Sequence, residues 1–181
     1  MLEIEVKILG VDADALAKKL ELLGAKKVFD GVLKATWFDN GGRLRKQGKV
    51  LRLRRAGNKT VLCSKSIISK TGAKVMDERE VEVMDYEATK KVLEGLGFAP
   101  TLTLSKKRVS YEIKGTRFEI DSCEGIPPFL EIEGSNEEQV FEWVERLGYK
   151  KEDAKPWTFS EVFDYYGIEI QEVNHNARGN P

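Results

Sequence analysis

Glu3, Glu5 and Lys7 alternate with Leu2, Ile4, Val6 and Ile8 at the start of the chain. Successive side chains of a β-strand point to opposite faces. The pattern therefore predicts a strand with two carboxylates and an ammonium on one face and aliphatic groups on the other. Carboxylate oxygens suit hard divalent cations, and lysine and arginine suit phosphate. The alternation recurs with other signs: Arg52 and Arg54 between leucines, Lys65 closing residues 60–65, Glu80 and Glu82 between valines, and Lys106 with Arg108. It continues with Glu119 and Asp121, then Glu131 and Glu133. Together these segments predict a strongly charged concave surface able to hold a metal and a polyanion.

A sheet with helices on one face and water on the other would alternate in the same way, and exposed ion pairs contribute little. Against that reading, the signs are segregated strand by strand, and the strands hold few Thr, Ser or Gln. If the sheet curls with its charged face inside, the charges must find partners, because an unpaired buried charge costs several kcal/mol. A polyanion plus divalent cations would supply partners for both signs. At ~4 Å and an effective dielectric of ~20, one such contact is worth about 4 kcal/mol before desolvation.

Other segments must position these strands. Residues 12–23 read as an amphipathic helix with Leu16, Leu20 and Leu23 on one face and Gly24 as its stop. Residues 85–96 read as a second helix, with Val92, Leu93 and Leu96 inward and Gly97 closing it. A third starts at Ser135, with Glu138 forming a capping box. It buries Val140, Phe141, Val144 and Leu147 and stops at Gly148. A short fourth helix is expected over residues 159–166, after Pro156. Gly41-Gly42 and Gly115 mark turns. Residues 67–77, with Gly72 inside, read as a long mobile hairpin loop, and residues 122–128 as a second loop stiffened by Pro127 and Pro128. The order of elements is that of an α+β protein.

The 181 residues suit one domain with one core. Thirty basic and thirty acidic residues cancel, which argues against a generic nucleic-acid binder. Cys63 and Cys123 are far apart and lack metal-ligand spacing, so ordinary strand residues in a reducing cytoplasm are expected. No apolar run approaches the ~20 residues of a membrane helix, and the chain opens on a strand without a signal peptide. The only histidine, His175, lies in a polar tail. A frayed terminus is a poor place for catalysis, so histidine triads and histidine-based zinc sites are not expected.

Residues 3–7 resemble the ExExK signature of the CYTH group, the triphosphate tunnel metalloenzymes. The group includes class IV adenylyl cyclases, thiamine triphosphatases and inorganic triphosphatases. Trp37-Phe38-Asp39, Leu51-Arg52-Leu53-Arg54, Lys65, Arg79-Glu80-Val81-Glu82, Lys106-Lys107-Arg108, and Asp121 with Glu131-Ile132-Glu133 extend the resemblance over residues 1–167, leaving residues 168–181 as a polar tail. The resemblance implies a closed or nearly closed antiparallel β-barrel of about eight strands, with the charges pointing into a tunnel and helices packed outside. It implies Mg²⁺ or Mn²⁺ held by Glu3, Glu5, Glu131 and Glu133, with Asp121 close by. Lys7, Arg52, Arg54, Lys65, Lys106 and Arg108 would grip a triphosphate. Glu3, Glu5 and Lys7 would form the catalytic centre. Lys7 would contact the phosphates, or orient or deprotonate an attacking water. The phosphate role is favoured, because Glu3 and Glu5 oppose the fall in pKa that a lysine base needs. Glu119 would be a further ligand or charge balance, and Glu80 and Glu82 would balance the basic wall. Arg79 has the opposite parity.

Two reactions fit such a tunnel. A class IV adenylyl cyclase-like enzyme would convert ATP to cyclic AMP and pyrophosphate, and this is the preferred reading. A triphosphatase would hydrolyse thiamine triphosphate or inorganic tripolyphosphate. Lys155-Pro156-Trp157-Thr158-Phe159-Ser160 stands where the family often has a Ser-Tyr pair. Trp157 would stack on a base or pack in the core. The rivals of other classes are a non-catalytic polyphosphate or nucleotide-binding module and a structural protein with a wet sheet face. The expected partner is a small triphosphate in the cytoplasm, without nucleic acid or membrane, and with a homodimer possible.

Overall fold

The computed structural model describes residues 2–169. Its strands are β1 (Leu2–Leu9), β2 (Lys26–Asp39), β3 (Lys49–Ala56), β4 (Lys59–Ser69), β5 (Lys74–Val83), β6 (Ala99–Ile113), β7 (Thr116–Ser122) and β8 (Phe129–Gly134). They close into a barrel in the order β1-β5-β4-β3-β2-β6-β7-β8. Five helices accompany them: α1 (Ala13–Leu22), α2 (Arg43–Lys46), α3 (Tyr86–Gly95), α4 (Glu137–Arg146) and α5 (Phe159–Tyr165). This is the expected α+β barrel. The chain divides into two compact units, and β2, β4, β5 and β6 each run from one into the other.

The first unit comprises Met1–Val32, Ile67–Asp77 and Lys106–Glu169. Its core lies on the aliphatic face of β1, β7 and β8, where Val6, Ile8, Phe118, Ile120, Leu130 and Ile132 are buried. Leu16 and Leu20 of α1, and Val140, Trp143 and Val144 of α4, close over them. Phe118 and Trp143 meet edge to face with centroids 5.1 Å apart, a favoured aromatic geometry. Strand pairing sets the opposite face. Across β1 and β5, Glu3 faces Met76 and Glu5 faces Lys74. Across β1 and β8, Glu5 faces Glu133 and Lys7 faces Glu131. β7 adds Glu119 opposite Glu131, and β6 adds Arg108 opposite Asp121.

Helix starts follow their capping side chains. The Asp12 carboxylate accepts from the amides of Asp14 and Ala15 and starts α1. The cap of α4 is Asn136 rather than Ser135: its side chain accepts the Gln139 amide at 2.8 Å. Gln139 Oε1 accepts from the Ser135 amide, one residue before the cap, so the expected box of Ser135 with Glu138 does not form. Trp143 takes a core position in α4 that the sequence reading had left out, while Phe141 is only partly buried. Thr158 and Glu161 form the capping box of α5. Ahead of it, Lys155 pairs with Lys7 through two backbone hydrogen bonds of 2.8 and 2.9 Å.

The expectation of a long mobile loop over residues 67–77 is corrected. β4 runs to Ser69 and β5 begins at Lys74, leaving a short turn. The Lys70 ammonium is tied to both oxygens of Glu161 in α5. Gly72 adopts a positive φ of 76° and packs so closely on Glu137 that an added Cβ would displace its carboxylate.

The second unit comprises Leu33–Ser66 and Glu78–Ser105 among the described residues. Its core joins Phe38 and Leu53 to Tyr86 and Leu93 of α3. Tyr86 and Thr36 share a 2.7 Å hydroxyl contact. Leu93 is buried as expected, but Val92 and Leu96, also expected inward, are 61% and 67% exposed, because Tyr86 is the residue that α3 buries beside Leu93. Where only a turn was expected after Gly41-Gly42, α2 forms. The buried Asp39 carboxylate accepts from the amides of Asn40, Leu44 and Arg45 and so holds its start. Burial opposes ionisation of Asp39, but these amides hold its pKa below the ordinary value. His175 and residues 170–181 lie outside the described residues. Among those described, no helix is long and apolar enough to cross a membrane.

Candidate functional site

The face of the first unit opposite α1 and α4 gathers most of the expected site residues, with Phe159 of α5 packed on Lys106 there. Glu3, Glu5, Lys7, Lys106, Arg108, Asp121 and Glu131 are all buried. Lys7 Nζ lies 2.5 Å from Glu5 Oε1 and 3.0 Å from Glu131 Oε1. Burial pushes the Lys7 ammonium down, but Glu131 and Glu5 more than offset it, and its pKa stands well above the ordinary lysine value. An ammonium held this way keeps its proton and is a charge, not a base.

Arg108 is the hub of the opposite end. Its Nε donates to Asp121 Oδ1 at 2.6 Å, its Nη2 to Asp121 Oδ2 at 2.5 Å and to Glu131 Oε2 at 2.9 Å, and its Nη1 to Glu119. The Lys106 ammonium also meets Asp121 Oδ2. Both Asp121 oxygens are thus engaged by cations. Glu131 is disfavoured as an ion by burial, yet Lys7 and Arg108 hold its pKa well below the usual carboxylate range.

Six carboxylates (Glu3, Glu5, Glu119, Asp121, Glu131 and Glu133) share this face with four cations (Lys7, Lys74, Lys106 and Arg108). Arg117 and Glu112 pair with one another at its margin. The surplus of negative charge is felt at Glu133. Burial, reinforced by Glu3 and Glu119, pushes its carboxyl up to about 7, against the pull of Arg117. Excess buried carboxylate is the chemistry of a seat for a divalent cation. Glu3, Glu5, Glu131 and Glu133 are of the right chemical type for a hard metal ion, but no three of them bring ligand atoms within 4.8 Å of one another in this arrangement.

The second unit carries its own ion-pair array. Arg52 faces Cys63 across β3 and β4, and Arg54 faces Val61. Lys65 Nζ lies 3.0 Å from Glu78 Oε1, and Arg54 Nη2 lies 3.2 Å from Glu80 Oε1. Glu82, expected to balance this wall, pairs instead with Lys59 at the surface. Arg52 is different: its Nε and Nη2 are buried without a hydrogen-bond acceptor among the described residues. Its nearest carboxylates, Glu80 and Glu78, lie 3.9 and 4.0 Å away. Such groups are rare in folded proteins and mark a place where an acceptor belongs.

Cys63 donates its thiol to Glu78 Oε1 at 3.0 Å. With Glu80, these are the only three ligand-type side chains among the described residues whose donor atoms lie within 4.8 Å of one another. Lys65 and Arg52 lie beside Glu78, and burial pushes the Cys63 thiol up to about 12, so it is the protonated thiol that donates here. Cys123 is likewise free and is pushed up to about 11, chiefly by burial. Trp157 neither joins the core nor stands open: it is half-buried, its ring 5.3 Å from that of Tyr165.

Two residues of these arrays were not singled out from the sequence. Lys74, 6% exposed, meets Glu5 Oε1 at 2.5 Å. Burial and the nearby Lys7 lower its pKa, against the pull of Glu5. Glu78 anchors the second array. The parity signal existed: counting back from Glu82 and Glu80 in steps of two reaches Glu78, Met76 and Lys74.

Comparison with known proteins agrees with this architecture. The CYTH domain family profile matches residues 1–158. A Methanocaldococcus jannaschii protein named "Putative adenylate cyclase MJ0240" is 30% identical over 137 residues, covering 75% of this chain and 78% of its own length. The PH1012 protein of Pyrococcus horikoshii superposes with a TM-score of 0.76 at 30% identity, over 88% of this chain and 98% of that one. A Hippeastrum protein shares the fold with a TM-score of 0.67 at 19% identity, over 93% and 97% of the two chains; its structure is described as that of an adenylyl cyclase candidate with a dominant triphosphatase activity. The chain belongs to the CYTH domain family.

Proposed function

We propose that this protein is a divalent-metal-dependent enzyme acting on a small triphosphate, and that its reaction is the cyclisation of ATP to cyclic AMP and pyrophosphate. The observation that carries the triphosphate reading is Arg52, with buried guanidinium donors that lack a hydrogen-bond acceptor. A phosphate oxygen supplies that acceptor and the charge together. Family membership supports the class of substrate, and the Methanocaldococcus jannaschii relative supports the cyclase branch. Arg54, Lys65, Lys106, Arg108 and Lys7 complete the proposed phosphate ligands, an assignment that rests on the resemblance of their strands to the family.

Glu3, Glu5, Glu131 and Glu133 would hold Mg²⁺ or Mn²⁺, with Asp121 fixing Lys106 and Arg108 beside them. The ion would supply neutralisation of phosphate charge and activation of the attacking oxygen. In the cyclase reaction, the ribose 3′-oxygen bonds to the α-phosphorus. The bond from that phosphorus to the α–β bridging oxygen breaks, pyrophosphate departs with the electron pair, and the hydroxyl proton passes to water. Lys7 contributes as a fixed positive charge, consistent with its raised pKa. The expected setting is the cytoplasm, where ATP and magnesium are abundant.

The test is product identification. The purified chain is incubated with Mg²⁺ or Mn²⁺ and, in parallel, ATP, thiamine triphosphate and tripolyphosphate. Cyclic AMP with pyrophosphate is the expected result. Phosphate release without cyclic product would replace the cyclase by a triphosphatase, an activity described for the Hippeastrum protein of the same fold. Tripolyphosphate binding without turnover would reduce the site to a binding module.

A further inference from the structure

We propose that Lys74 is a built-in counter-cation for the metal seat: its ammonium occupies Glu5 in the metal-free protein and withdraws when a divalent ion binds. The inference rests on the assignment of Glu5 as a metal ligand. Lys74 sits directly across the β1–β5 pair from Glu5. Its Nζ and that of Lys7 converge on the same carboxylate oxygen, each at 2.5 Å. A divalent ion held by that oxygen would lie roughly 2 Å from it and would be forced against both ammoniums. One must give way.

Geometry selects Lys74. Lys7 has a second anchor in Glu131 at 3.0 Å and lies where its backbone is paired on one side to β8 and on the other to Lys155. Lys74 is the first residue of β5, next to the turn that follows β4. A lysine ammonium rides on four flexible carbons, so it can swing while the backbone register stays in place. In the metal-free state, Lys74 lowers the repulsion among Glu3, Glu5 and Glu133. It thereby stabilises the empty protein and weakens its hold on metal.

The test measures Mn²⁺ binding to the whole chain without nucleotide, by electron paramagnetic resonance of the free ion. Lys74→Met keeps most of the stem and removes the charge. It should bind Mn²⁺ on the order of tenfold more tightly and melt at a lower temperature when metal-free, with Mn²⁺ restoring the loss. Unchanged or weaker Mn²⁺ affinity would overturn the proposal. If Glu5→Gln abolishes binding while Lys74→Met leaves it unchanged, the metal assignment stands and only the role of Lys74 fails. If the wild-type chain takes up no Mn²⁺, both fail. Should Lys74→Met not fold, lysine-selective NMR of the wild type decides: added Mg²⁺ must shift the Lys74 side-chain signal, and an unmoved signal overturns the proposal.

Discussion

Glu133 faces Glu5 directly across the β1–β8 pair, so two carboxylates that would repel as ions are neighbours in register. Glu133 is pushed up to about 7 by burial, then by Glu3 and Glu119. The folded chain therefore binds a proton between the unfolded value near 4.5 and about 7 that the unfolded chain does not. In that window stability must rise as pH falls, by up to about 3 kcal/mol. Thermal melts in chelator from pH ~8 to ~5 should show the gain in the wild type and lose it in Glu133→Gln. A wild-type midpoint that is flat across this range would contradict the charge surplus.

Metal uptake should eject that proton. Below pH ~7, Mn²⁺ binding must release protons from the wild type, because a carboxylate ligand must ionise. Calorimetry in buffers of different ionisation enthalpy reads the number released. Glu133→Gln should release fewer at the same pH.

Glu5→Gln should abolish metal-dependent turnover while retaining some tripolyphosphate binding, since the phosphate ligands remain. It should also destabilise the chain, because Lys7 and Lys74 both lose a partner at 2.5 Å. Breaking a buried pair by removing one member costs about 3–5 kcal/mol, and the anchor of Lys7 on Glu131 places this variant at the lower end. Full turnover in Glu5→Gln would remove Glu5 from the metal site.

Arg108→Lys and Arg108→Met separate charge from shape. Methionine leaves Asp121, fully buried, together with Glu119 and Glu131, without their shared cation. A loss of about 3–5 kcal/mol is expected. Lysine keeps the charge but not the fork that spans both Asp121 oxygens, so it should recover only part of the loss. Equal stability of both variants and the wild type in urea would show that the network contributes nothing.

Lys65→Met probes the second array through acid. Burial raises the Glu78 pKa, but Lys65 leads the groups that overcome it and hold the carboxyl down to about 2. The stability this contributes is present above about 4.5 and is lost as pH falls toward about 2. Without Lys65 the acid-unfolding midpoint, followed by circular dichroism, should move to higher pH.

The sequence signals that held were those with a single local cause. Gly24 and Gly148 were legible as stops, and each has a positive φ; the caps Asp12 and Thr158 emerge from the structure. The charged strands were legible because their period is two. Ser135 and Asn136 are both good caps, and nothing local chooses between them; Gln139, reaching back to the Ser135 amide, decides. Val92 and Leu96 satisfied a helical period, but Tyr86, which the period did not single out, joins Leu93 in the buried contact. Lys74 was hidden in a stretch of Ser, Lys, Thr and Gly that reads as loop, and only pairing with β1 makes it a strand. Arg52 was visible as a phosphate ligand by type, but its unsatisfied donors are a property of the folded array.

Lys7 takes its main-chain partners from Glu131 on one side and from Lys155 on the other. β1 is thus completed in part by a segment far downstream in the sequence. Contacts of such sequence separation form slowly, and β1 must wait for most of the chain. An N-terminal fragment ending before residue 155 would leave the main chain of Lys7 without its Lys155 partner. The ion-binding face should accordingly be completed only late in folding.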